Sequence, residues 1–218
     1  MSNDLIARRD ALRFGLVGLT SLPLLARMGH AASAAEAASP TGAVQSFNAA
    51  LLGVMKASGS TPFARRYAAL QPVVDQTFDL DAILRVSVGP HWATMSAEQQ
   101  AALSAAFRRY TVANFVANFD SYSGEAIETL AGQQSLPNGD QVVATRITSP
   151  SGTPTALSYV MRQTPAGWKA VDVLAEGSIS RVATQRSDFR NLLSNGGGAA
   201  LVTSLDNKVA TLSGGSLA

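Results

Sequence analysis

Three clusters of turn-forming residues constrain this chain more than anything else in it. Leu136-Pro137-Asn138-Gly139-Asp140, Ser149-Pro150-Ser151-Gly152 and Pro165-Ala166-Gly167 bring together proline's fixed φ, glycine's tolerance of positive φ and short polar side chains, so the backbone turns at each. They leave four strand candidates, at 126–130, 141–148, 155–162 and 168–174. The gaps are short, which predicts antiparallel pairing of neighbours as a meander. The last strand runs on through Glu176-Gly177-Ser178-Ile179-Ser180, a turn that opens a helix.

Helical patterns flank the strands. Residues 35–42 are rich in Ala, Ser and Pro and read as a flexible linker, with a helix from Val44 to Lys56. Thr61-Pro62 offers an N-cap and a first-turn proline for a helix to about Phe78, which Pro72 should kink or end early. Asp79 caps a short helix that Gly89-Pro90 stops. Ser96 and Gln99 have the spacing of a capping box and open the longest helix, with a wide apolar stripe containing Leu103, Phe107, Phe115 and Phe119. Two more helices are expected near 181–193 and 199–212, separated by Asn195-Gly196-Gly197-Gly198. Helices, then strands, then helices predict an α+β fold: a curved antiparallel sheet of about four strands, covered by helices on one face.

Charge narrows the function classes. The net charge of +2 arises in the first 34 residues, which hold four of the 17 basic and two of the 15 acidic side chains, leaving 13 of each from Ala35 onward. A balanced remainder has no phosphate-neutralising footprint, so a nucleic-acid partner is excluded. The absence of cysteine rules out disulfides, thiolate metal sites and cysteine nucleophiles. Residues 1–34 have the layout of a cleavable export signal: Arg8-Arg9, a weakly apolar run over 14–26, then Ala32-Ser33-Ala34. The arginine pair suits a twin-arginine signal, while the overall layout suits an ordinary secretory one. Either route places the protein in the periplasm, with residues 43–218 as a single domain.

Catalytic motifs are sparse. After signal cleavage His91 is the sole histidine, in a helix-ending turn where a surface or capping role fits best. Neither Gly-x-Ser-x-Gly nor a Walker or dinucleotide loop occurs, and no cofactor is expected. Asp172, between Val171 and Val173, could act as a general base in a cone-shaped cavity, with Tyr159 as an oxyanion donor. The favoured alternative is a structural carboxylate, solvated or bonded to a nearby backbone amide.

The remaining signal is apolar. Leu157, Tyr159 and Met161 share one strand face, and periodicity cannot tell whether the space above such a face is filled or hollow. The residues alone therefore describe an exported α+β domain that binds something apolar, or a filled adaptor.

At this point the chain resembles the MlaC family of periplasmic phospholipid-shuttle proteins, over about 63–212. The resemblance rests on Leu70-x-Pro72-Val73-Val74, Phe78-Asp79, Gly89-x-x-Trp92, Tyr122-x-Gly124-Glu125, Trp168-Lys169-x-Val171-Asp172-Val173, Glu176-Gly177-x-Ile179-Ser180 and Arg186-x-x-Phe189, in that order. Within the family the chain is most similar to the hopanoid-associated branch (HpnM). Phe115 stands where many relatives carry tyrosine.

The resemblance implies an apolar cavity between sheet and helices that takes acyl chains tail-first, in a monomeric carrier of a phospholipid or terpenoid lipid. It also implies partners, namely an inner-membrane ABC transporter with an MCE-domain ring and an outer-membrane lipoprotein complex. Combined with strand alternation, it nominates Phe78, Ile83, Leu84, Phe107, Phe115, Phe119, Leu157, Tyr159, Met161 and Val173 as the lipid-binding lining.

Overall fold

A computed structural model describes residues 39–150 and 152–217; the expected export signal lies outside them. The first helix, α1 (Pro40–Ala57), begins earlier than the sequence suggests. Ser39 Oγ accepts from Gly42 N at 2.9 Å, and Pro40 fills the first turn, where its missing N–H costs nothing. Residues 40–42, expected to be part of a loose linker, are therefore helical.

In α2 (Phe63–Thr77), Pro62 rather than Thr61 occupies the N-cap position, without a side-chain cap. The helix runs through Pro72 instead of ending there, because buried Leu70 and Val74 hold it on the core on either side of the missing donor. Asp79 caps α3 (Leu80–Val88), accepting from Ala82 N at 2.9 Å, and Gly89, at φ 64°, ends it in a 3-10 turn over Gly89–Thr94. The capping box forms as predicted at the start of α4 (Ala97–Asn118), with Ser96 N donating to Gln99 Oε1 and Gln99 N to Ser96 Oγ.

The strands are β1 (Ala126–Thr129), β2 (Gln134–Ser135), β3 (Gln141–Thr148), β4 (Thr155–Thr164), β5 (Gly167–Ala175) and β6 (Ile179–Ser180). They form one antiparallel sheet in the order β1-β3-β4-β5-β6, with β2 pairing β3. The four long strands meander as their spacing predicts; the two-residue strands β2 and β6 had no alternation to reveal them. The final helix, α5 (Arg181–Leu212), carries one non-helical residue, Gly197 at φ 62° and ψ −158°, so the expected glycine break narrows to a single position.

Helix α1 lies against β1, β3, β4 and β5, α5 runs beside α4, and α3 sits between α5 and β5. Asp79 N donates to Ala170 O at 3.0 Å and ties the α2–α3 joint to the sheet. Between the layers, Phe47 sits 5.1 Å from both Phe78 and Phe115 and 6.0 Å from Tyr159, mostly edge-on. Much of the interlayer space is thus solid. Opposite this cluster the register of β4 and β5 shifts: Met161 pairs Ala170 but Val160 pairs Asp172, leaving Val171 as an extra residue and setting Val173 against Tyr159. Among the described residues no helix is long and apolar enough to cross a membrane.

Candidate functional site

One cleft opens between the sheet and the helices α3, α4 and α5, with a volume of about 360 Å³. Its floor is made by Phe78 at the α2–α3 joint, Leu80 and Ile83 of α3, and Phe107 and Phe115 of α4, with Phe119 at that helix's end. Leu157 of β4, Val173 and Ala175 of β5, and Val182 of α5 continue the apolar wall. Seven of the ten residues nominated from sequence therefore meet in one place: Phe78, Ile83, Phe107, Phe115, Phe119, Leu157 and Val173.

The other three, Leu84, Tyr159 and Met161, do not line the cleft. They are fully buried in the packed core behind it. Tyr159 lies 6.3 Å from Phe78, which lines the cleft where Tyr159 does not. Its hydroxyl donates to Asn48 Oδ1 of α1 at 3.3 Å, and burial pushes its phenol far above the usual range. Asn48 Nδ2 is itself buried with no hydrogen-bond partner among the described residues.

Sequence reasoning missed the polar side of the cleft. Tyr110, Asn114 and Asn118 recur every fourth residue along α4, and Arg181, Gln185 and Asp188 share a face of α5. Burial pushes the Tyr110 phenol up, opposed by the positive charge of Arg181 and reinforced by Asp188. The cleft is thus amphipathic, with aromatic and aliphatic carbon on its floor and amides, hydroxyls and charges along the helical rim.

Asp172 also reaches the cleft wall, but its carboxylate is already occupied. Oδ1 accepts from Val173 N at 2.7 Å and from Val182 N at 3.1 Å, and Oδ2 accepts from Ser180 Oγ. It caps α5 together with Ser180, whose Oγ accepts from Ala183 N. This is the amide-bonded structural role that the sequence favoured. The oxyanion donor considered beside it, Tyr159, is turned to Asn48. Among the described residues no group of three His, Asp or Glu side chains stands close enough to hold a metal ion.

A second groove, of about 510 Å³, runs between α4 and the later part of α5. Its wall sets Asn114, Thr203, Ser204, Asn207, Lys208 and Thr211 beside Tyr110, Ala200 and Leu212, a lining with no counterpart to the phenylalanine floor of the cleft.

Comparisons with known proteins agree with this architecture. The family described as "MlaC protein" matches residues 45–207. Among solved structures, a phospholipid-binding protein from Ralstonia solanacearum, determined in complex with a phospholipid, is similar at 22% identity and a TM-score of 0.66. The alignment covers 78% of this chain and 94% of that one. No curated protein matches in sequence. The family match spans well over half of the chain and coincides with the sheet, the helices and the cleft between them, so this chain belongs to the MlaC family.

Proposed function

We propose that this protein is a periplasmic phospholipid carrier that holds acyl chain in the cleft walled by Phe78, Phe107, Phe115 and Phe119 and leaves the head group at the rim of α4 and α5. The observation that carries this reading is the position of that cleft. In a chain of the MlaC family, a solvent-reachable apolar wall lies between sheet and helices, where a packed core would otherwise close. The similar Ralstonia solanacearum protein, which binds a phospholipid, supports the same ligand class.

Physical chemistry gives the carrier its purpose. Leaving two acyl chains in water costs about 0.8 kcal/mol per CH₂, on the order of 20 kcal/mol in all, so unaided crossing between membranes is negligibly slow. A cleft with an apolar floor lowers the cost of each hand-over, and no reaction is required of the carrier. We place the donor and acceptor at an inner-membrane MCE-domain ABC transporter and an outer-membrane lipoprotein complex, with residues 43–218 as one lipid-binding unit behind an export signal at 1–34.

Native mass spectrometry of the purified protein tests the proposal. The expected result is a co-purified phospholipid or terpenoid lipid, whose mass also decides between the general family role and the hopanoid-associated branch. Ligand-free protein that also takes up no labelled phospholipid overturns it. The alternative of Asp172 as a general base finds no support in the geometry, because its carboxylate already accepts three hydrogen bonds.

A further inference from the structure

We propose that Arg181 is the head-group phosphate ligand of the cleft, making this a site for phosphate-bearing amphiphiles rather than for acyl chains in general. The inference rests on the carrier reading above and deepens it. Arg181 is the first residue of α5, is solvent-exposed, and lies on the wall of the cleft, with apolar Val182 next to it in sequence on that same wall. It forms no ion pair among the described residues, whereas Arg108, Arg109 and Arg162 are each paired with an aspartate.

The two acids of the cleft wall leave it free. Asp172 already receives three hydrogen bonds, from Val173 N, Val182 N and Ser180 Oγ. Asp188 lies seven residues further along α5, about 10 Å at 1.5 Å per residue, and forms no ion pair. Arg181 still faces the cleft closely enough for its charge to act on the half-buried Tyr110 phenol. A guanidinium presents a planar fork of donors that matches two phosphate oxygens, and bound at the rim it would anchor the phosphate where the lipid leaves the hydrocarbon floor.

The test compares uptake of labelled phosphatidylglycerol and of diacylglycerol with the same acyl chains, which differ by the phosphoglycerol head group. The wild type is expected to bind phosphatidylglycerol about tenfold more tightly, the margin of one charge-assisted bond. Arg181→Ala should bring phosphatidylglycerol down to the diacylglycerol level and leave diacylglycerol unchanged, while Arg181→Lys keeps part of the preference. Inorganic phosphate, lacking a chain to bury, should not compete. An unchanged preference in Arg181→Ala overturns the assignment of Arg181, and full competition by inorganic phosphate makes the site one for the free anion and overturns the head-group role; either result leaves the carrier intact. A wild-type protein that takes up neither lipid removes the carrier reading and this inference with it.

Discussion

Phe78 and Phe115 stand with ring centroids 5.4 Å apart and planes tilted by 41°, and the same pair serves as cleft floor on one side and core wall on the other. Residues in front of the pair should therefore affect ligand uptake, and residues behind it should affect stability.

Val173→Trp fills the front. Because Val173 is only partly buried, the indole enters the cleft rather than the core. Labelled phospholipid uptake should fall severalfold with the circular dichroism spectrum and melting temperature little changed. Met161→Ala empties the back, at a residue with no exposed surface, and should cost about 2–5 kcal/mol in urea denaturation. If the two variants exchanged phenotypes, the boundary set by Phe78 and Phe115 would be misplaced.

Asp172 joins β5 to the start of α5 through backbone amides. Asp172→Ala leaves those donors without their acceptor and should destabilise by about 1–3 kcal/mol, with Asp172→Asn milder because it keeps one carbonyl oxygen. Both variants, at protein concentrations and temperatures where they stay folded, should retain lipid uptake. Loss of uptake by folded Asp172→Asn protein would give the carboxylate a ligand role.

The buried pair of Tyr159 and Asn48 makes an asymmetric prediction. Tyr159→Phe strands the whole Asn48 amide and Asn48→Leu strands the phenol, so each alone should lose about 1–3 kcal/mol. The double variant removes both partners, and the orphaned Nδ2 with them, and should lie above the sum of the singles. A double-mutant cycle read by urea denaturation gives the coupling, and strict additivity would mean that the bond contributes nothing.

Acid should unfold the protein partly through Asp140. Its carboxylate accepts from Arg162 Nε at 3.0 Å and Nη2 at 2.7 Å, and that guanidinium, followed by the Asn138 amide, holds it below the usual carboxylate range against the opposing effect of burial. A lowered folded-state value stabilises fully above the unfolded value of about 3.9 and is lost as pH falls through the folded one. Melting temperature measured downward from pH 5 should drop more steeply for wild type than for Asp140→Asn; parallel curves would remove Asp140 as a contributor.

Much of this fold is legible before any coordinates, and the reasons are local. Asp79, the Ser96–Gln99 box and the three turn clusters act within a few residues of themselves, so their chemistry does not depend on the rest of the chain. Pro72 shows the opposite case, since Leu70 and Val74 hold the helix on the core against its breaking effect. The cleft was only half legible. Alternation places Leu157, Tyr159 and Met161 on one face but says nothing about depth, and only Leu157 reaches the opening. The rim was missed because Asn114 and Asn118 interleave with the phenylalanines of α4, where a search for apolar stripes passes over polar residues at the same period.

The surplus residue in β5 has a reach beyond its own turn of backbone. Counting back from Ala170 opposite Met161, an unbroken ladder would bring Asp172, not Val173, opposite Tyr159. Closing the bulge with Val171 kept in the ladder would thus trade a valine for a carboxylate beside the phenylalanine rings and pull the acid away from the Val182 amide of α5 that it now holds. Strand parity at one position decides whether hydrocarbon meets oil or charge.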